Sequence, residues 1–262
     1  MDRISESGNR NTESEDLFEE YLNFYRYGDW SHERPVAGKR KNLDYCVSIK
    51  GLRFFFEVKQ FEAARLTPGP GSYDPYRPIR EKINQAARQF SEYKEFSSSL
   101  VLSNPMSAFV HLDDPWAIIG AMLGNLGVQI PFGPPKGEEI LSEQVFTHGG
   151  KMIDYAERKP RNTTISSVIV LGRYPLRRKL ITAEIKRREL AVERPITATE
   201  ILEVYEAIPE NAGPIRVAVY DNPFARIPLD ADAFRGPYDE RWSPRDGFVA
   251  RVFIGPAAAR LD

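Results

Sequence analysis

Asp44, Glu57 and Lys59 are the residues of this chain best placed by type and spacing to do chemistry together. They lie in LDYCVSIKGLRFFFEVKQ, residues 43–60, which reads as two strands joined at Lys50-Gly51. A two-residue turn there sets Ile49 against Leu52, Val47 against Phe54, Tyr45 against Phe56 and Asp44 against Glu57. Opposed residues of an antiparallel pair share a face, with Cβ atoms about 4.5–5.5 Å apart. Period-two alternation then puts Tyr45, Val47, Ile49, Leu52, Phe54, Phe56 and Val58 on one buried face. Asp44, Cys46, Ser48, Arg53, Phe55, Glu57 and Lys59 fall on the other. Two carboxylates about 5 Å apart repel by roughly 3 kcal/mol at an effective dielectric near 20. A proton, the Lys59 ammonium or a divalent cation must offset this. Oxygen-only ligation suits Mg²⁺, with Mn²⁺ as a substitute, because Mg²⁺ takes one or two carboxylates and completes its shell with water and substrate phosphate. The chemistry implied is metal-assisted phosphodiester hydrolysis.

A Glu-x-Lys triplet alone says little, since the chain has four, beginning at Glu57, Glu92, Glu157 and Glu184. Glu92 and Glu184 sit in helical patterns, where such a triplet ordinarily marks a solvated face. Glu57 differs in ending a strand-like run with an Asp in register across a hairpin.

Asp44, twelve intervening residues and then Glu57-Val58-Lys59 resemble the signature of the PD-(D/E)xK superfamily, the restriction-endonuclease-like nucleases. The order of elements over residues 14–104 is also similar: an acidic helix, the hairpin, a glutamine-bearing helix and an apolar strand. Leu43 stands where the motif has proline. The resemblance implies an α/β fold with a restriction-endonuclease-like core (helix, antiparallel strands, helix, strand) and a Mg²⁺-dependent nuclease acting on DNA, with an endonuclease mode expected. It implies metal ligation by Asp44, Glu57 and the Val58 carbonyl, with Lys59 orienting the attacking water or stabilising the transition state. It also implies a glutamate from the first helix, for which Glu15, Glu19 and Glu20 are candidates and Glu19 the favoured one. Gln60 is expected to touch metal-bound water, and Gln85 or Gln89 to face the site from the following helix.

The elements that must position these groups can be read from periodicity. Residues 14–27 read as a helix, with Ser14 as N-cap, Glu15 and Asp16 in the first turn and Gly28 as the stop. A short strand is expected near 34–36. TPGPGSYDPYRP, within 62–78, is a long loop suited to a substrate-facing flap or an excursion. A helix is expected over 79–96 and a buried strand over 98–103. Further on come a helix over 115–123, a strand over 166–172, a basic helix over 175–190, a Thr197–Glu200 capping box opening a helix to Ile208, and strands over 215–221 and 249–254. The expected organisation is a disordered segment 1–13, a core 14–104 and a C-terminal α/β elaboration 105–262, either extending the same domain or flanking it.

The 262 residues carry 36 basic and 37 acidic side chains, so no global positive field exists for nucleic acid. Local clusters remain. Lys39, Arg40 and Lys41 precede the hairpin, Arg77 and Arg80 follow the long loop, and Arg177, Arg178 and Lys179 open the basic helix. Phosphate contacts need only such local potential. The single Cys46 excludes an intrachain disulfide and fits a reducing cytoplasm. No run approaches a membrane span. His32, His111 and His148 have no zinc spacing, Gly149-Gly150-Lys151 is not a phosphate loop, and the serines fit no nucleophile elbow. A homodimer is compatible with the sequence. Two other readings stay open: a catalytically inactive nucleic-acid-binding or scaffolding module on the same fold, and an RNA-directed nuclease.

Overall fold

The computed structural model describes residues 11–33, 35–62, 74–105, 110–129, 143–173, 176–208, 213–245 and 248–259. In chain order the elements are α1 (Glu13–Phe24), β1 (Trp30–His32), β2 (Tyr45–Ile49), β3 (Leu52–Gln60), α2 (Arg77–Gln89), β4 (Ser97–Ser103), α3 (Pro115–Leu123), β5 (Leu126–Gln129), β6 (Glu143–Phe146), β7 (Ile153–Asp154), β8 (Lys159–Pro160), β9 (Ser167–Arg173), α4 (Leu176–Val192), α5 (Ala198–Ala207), β10 (Ile215–Asp221), β11 (Glu240–Arg245) and β12 (Phe248–Ile254). Eight strands form one sheet in the order β1-β2-β3-β4-β9-β10-β11-β12. The sheet is mixed: β3, β4 and β9 run parallel, as do β10 and β11, and the other neighbours are antiparallel. Because β4 pairs with β9, the strands of the second half continue the sheet of the first. No helix among the described residues is long and apolar enough to cross a membrane.

The β2–β3 hairpin turns at Lys50-Gly51, and its register pairs Tyr45 with Phe56, Val47 with Phe54 and Ile49 with Leu52. Both turn residues have positive φ, 52° and 80°, the left-handed pair that a two-residue hairpin turn needs. Gly51 supplies one without strain.

Both faces of the sheet are covered, not one as the alternation alone predicts. On the first face Phe18, Tyr21 and Leu22 of α1 pack on Tyr45, Val47, Phe54, Phe56 and Val58, with Phe234 closing the layer. On the second, Ile79, Ile83 and Ala86 of α2 and Ile118 of α3 pack over Phe55, Leu100, Leu102 and Val168. The cause is the parallel β3–α2–β4 unit, whose crossover helix has to lie on the sheet. The second hairpin face is therefore buried around Phe55 and Glu57 and opens to solvent further along the strand.

The helix boundaries differ from expectation for local reasons. Thr12, not Ser14, caps α1: its hydroxyl accepts from the Glu15 amide, and the Glu15 side chain accepts from the Thr12 amide. Ser14 is buried, and its amide and hydroxyl both donate to Gln60 Oε1, at 3.1 and 3.0 Å. α1 ends at Phe24 with Tyr25 as C-cap, and Arg26, at φ 56°, turns the chain before Gly28 is reached. The edge strand is Trp30–His32 rather than one near 34–36. α2 starts on Arg77-Pro78 and stops at Gln89, with a 3₁₀ turn over Phe90–Glu92 in place of a helix to 96. The predicted caps at Asp114 and Thr197 are present. β11, ERWSPR, was not expected from its sequence.

Candidate active site

The site lies where the sheet forks. β2 and β3 pair only as far as Tyr45 and Phe56, while β3 continues to Gln60 with β4 as its neighbour. Asp44 thus sits just outside the ladder. Its Oδ2 accepts from the Val58 amide at 2.7 Å, taking the place of the backbone acceptor that the departing strand no longer provides. Glu57 is fully buried under α2, and its Oε1 is paired with the Lys59 ammonium. Glu57 Oε2 is buried and has no partner in hydrogen-bond geometry.

The electrostatics follow from that packing. Burial, then the charge of Asp44, push the Glu57 carboxyl up to about 7; Lys59 and the Gln89 amide oppose the rise. Asp44 is also raised, by burial first, against the Val58 amide and Lys59, with Glu15 adding to the rise and His32 opposing it. Asp44 is the charge that acts most strongly on Glu57, and Lys59 is paired with Glu57 directly.

Elements beyond the hairpin complete the surroundings. Of the two glutamines on α2, Gln89 is the one that acts on Glu57, without meeting it in hydrogen-bond geometry, while Gln85 is exposed on the helix surface. Of the α1 glutamates, Glu15 is the one whose charge acts on Asp44. Glu19, favoured from sequence, instead accepts from the Tyr45 hydroxyl at 2.9 Å and from Asn11 at 3.1 Å. The reason is the sheet face: Tyr45 belongs to the α1 side, opposite Glu57. Gln60 belongs to that side too, and its Oε1 is taken by Ser14, so it docks α1 rather than extending the carboxylate pair.

Sequence reasoning did not single out two further neighbours. His32 on β1 packs its ring 4.9 Å from Tyr45, with Nε2 3.9 Å from Glu15 Oε1 and no hydrogen-bond partner. Nothing in its spacing could have marked it, because β1 reaches the site only through sheet pairing. Lys82 on α2 stands 5.7 Å over the Phe61 ring, near Lys59. It falls between apolar α2 positions and reads in sequence as a solvated charge.

Several residues expected to grip phosphate are engaged in the fold. The Lys39 ammonium bonds the Glu92 carbonyl and the Glu95 carboxylate beside the Tyr93 and Phe96 rings. Lys41 donates to the Arg88 carbonyl at 2.7 Å, and the Arg40 amide to Glu92 at 2.8 Å. These bonds pin the segment before the hairpin onto the end of α2. Arg80 donates to Asn125 at 2.8 Å, pairs with Asp74 at 3.2 Å and stacks on Tyr76. It joins α2 to α3, and its guanidinium is not offered to solvent. Arg77 forms an exposed pair with Glu81 on its own helix. The side chains of Arg177, Arg178 and Lys179, and residues 63–73 of the loop expected within 62–78 as a flap, lie outside the described residues.

An open cleft of about 750 Å³ runs along the α1 side, lined by Glu13, Asp16, Glu20, Ser103, Asn104 and Arg173. Arg173 is paired with Glu20 at 3.0 Å, which leaves this cleft acidic and unsuited to a phosphate chain.

The donor set can be tested against a hard divalent cation. Among the described residues no three His, Cys, Asp or Glu side chains form a ready cage. Mg²⁺ does not require one, since two carboxylates, a carbonyl, water and phosphate suffice. The free Glu57 Oε2, the neighbouring Asp44 and the Val58 carbonyl supply that minimum. A cation there would also remove the repulsion that raises Glu57. Comparison with protein-family models, curated proteins and solved structures gives no match, so the site is read from its own geometry.

Proposed function

We propose that this chain is a Mg²⁺-dependent nuclease of the PD-(D/E)xK type that hydrolyses phosphodiester bonds of DNA by an endonucleolytic mode. The observation that carries the reading is the buried Glu57 carboxylate with one oxygen unpartnered, paired through its other oxygen with Lys59 and within the electrostatic reach of Asp44. Burial of a carboxylate without donors is expensive unless a proton or cation completes it. Polar incompleteness of this kind collects at functional sites.

Asp44, Glu57 and the Val58 carbonyl would hold the cation, which supplies Lewis acidity toward the phosphate and a more acidic water. The Val58 amide fixes Asp44 in orientation. Gln89 steadies Glu57 from above. Lys59, tethered to Glu57 yet partly exposed, presents an ammonium where negative charge builds on the phosphorus centre, or holds the attacking water in line. In the absence of the cation, Glu57 carries its own proton near neutrality, which keeps the empty pocket compatible with burial.

The test is a cleavage assay with the purified full chain and Mg²⁺ or Mn²⁺. Plasmid and linear DNA are run beside an RNA of matching length. Plasmid nicking or linearisation that Asp44→Asn and Lys59→Met each abolish is the expected result. Cleavage by pure Asp44→Asn protein would assign the activity elsewhere. Exclusive RNA cleavage would reassign the substrate. Absence of cleavage together with absence of divalent binding would favour an inactive module on this fold.

A further inference from the structure

Two ammonium groups stand on the α2 side of the site, and they are not equivalent. Lys59 has its counter-charge in Glu57. Lys82 is half-buried, and among the described residues its ammonium has neither a hydrogen bond nor an ion pair. Glu62 and Glu81 act on it only from beyond ion-pair reach. The buried Phe61 ring lies 5.7 Å from Lys82 Nζ. Phe61 follows Lys59 by two residues on the same side of the chain, a strand rise of about 7 Å. Burial first, and then the Lys59 charge, lower the Lys82 pKa. A cation held on an aromatic ring beside a like charge is an unfavourable arrangement until an anion arrives.

We infer that Lys82, seated on Phe61, forms a second phosphate subsite beside the carboxylate pair. It holds a phosphate of the substrate other than the one being cleaved. This rests on the nuclease reading and narrows its substrate class. Lys59 serves the phosphate at the carboxylates, and Lys82 lies over the ring of Phe61, the residue one strand step beyond Lys59, where the next phosphate of an extended strand would be met. The preferred substrate is then a polynucleotide rather than an isolated diester.

The experiment compares wild type, Lys82→Met and Lys82→Arg, all as the full chain, in two measurements. The first follows cleavage of an oligodeoxynucleotide and of bis(p-nitrophenyl) phosphate, which has one diester and no flanking phosphate. Lys82→Met should lower kcat/KM on the oligonucleotide about ten- to a hundredfold, mainly through KM, as for losing one hydrogen bond to a charged group. It should leave the small diester unchanged, and Lys82→Arg should recover most of the loss. The second measures binding of a labelled duplex in metal-free buffer over a range of salt. Lys82→Met should reduce the slope of log K against log salt by about 0.9, one phosphate contact. Equal losses on both cleavage substrates, or an unchanged salt slope, would overturn the subsite. A Lys82-dependent slope in a protein that never cleaves would uphold the subsite and reject the nuclease reading. A chain that neither binds nor cleaves would reject both.

Discussion

Among the described residues two carboxylates are wholly buried, and they are treated in opposite ways. Asp239 accepts from the Tyr21 hydroxyl at 2.5 Å, the Val217 amide at 2.9 Å and the Gly236 amide at 2.6 Å. Glu57 has Lys59 on one oxygen and no partner on the other. Burial raises both carboxyls. At Asp239 the three donors and Arg216 pull back, whereas at Glu57 a second carboxylate adds to the rise. Asp239 is a joint: it ties α1 through Tyr21 to β10 and to the loop before β11. Glu57 is a socket. The difference shows how a buried charge can be assigned a role from its unfilled valences rather than from its burial.

The comparison breaks most visibly in activity. Glu57→Gln and Asp44→Asn should each lower metal-dependent DNA cleavage by at least about 10²–10³-fold, and Asp239→Asn should keep the catalytic pH profile and metal dependence. Nicking assays on folded proteins of matched concentration decide this. A fully active Glu57→Gln protein would end the distinction.

Stability should answer in the reverse sense. Asp239→Ala leaves the Tyr21 hydroxyl and two amides without an acceptor, at about 1–3 kcal/mol for each unsatisfied group. A loss of about 3 kcal/mol or more in denaturant unfolding is expected. Glu57→Gln without metal should hold or gain stability at pH 8, where the wild type carries two buried negative charges.

The pH dependence sharpens the same point. Glu57 titrates near 7 in the folded chain against 4.5 for an ordinary glutamate. The folded state therefore binds more protons than the unfolded state between these values. Stability of the metal-free protein falls as pH rises from about 4.5 to about 7, by roughly 3 kcal/mol from this group. Asp44, also raised, contributes with the same sign. Mg²⁺ should restore the loss, so its stabilising effect on Tm should be larger at pH 8 than at pH 5. Equal Mg²⁺ shifts at both pH values would count against cation binding at this pair.

The smallest effect separates the two glutamines of α2. Gln89→Ala should lower cleavage severalfold and raise the apparent pKa of the pair, because the amide favours ionised Glu57. Gln85→Ala, on the exposed surface, should do neither. A pH–rate profile of both variants gives the answer.

The hairpin register, the caps at Asp114 and Thr197 and most strand positions were legible because each is fixed by residues close in sequence. What escaped was set by contacts between distant segments. Ser14 looked like a cap until Gln60, 46 positions away, took its donors. Glu15 and Glu19 lie one turn apart on the same stripe of α1, and only the packing shows that Tyr45 and Asn11 take Glu19 while the charge of Glu15 acts on Asp44. Lys39 and Arg80 read as phosphate binders, but their partners lie on other elements. β4 is fully buried although it begins with three serines, because Ser97 pairs with Ser166 and Ser99 with Ser167 across the ladder. β11 carries proline and charges that argue against a strand. It is held by Arg241, whose bidentate bond to Asp221 and bonds to the Leu229 and Asp230 carbonyls satisfy a buried guanidinium.

One connection has an architectural consequence. β9 and β10 are antiparallel neighbours paired out to Arg173 and Ile215, so a tight turn would suffice to join them. The chain instead inserts α4 and α5 between them. Loop-closure entropy grows only logarithmically with the length inserted, so this is the position where the protein can lengthen, shorten or exchange a module while the ladder stays closed. The carboxylates lie across β4 from that ladder, on β3 and at the head of β2. The segment between β9 and β10 is thus free to diverge on its own schedule, as an accessory graft on a sheet whose carboxylate-bearing strands it does not help to build.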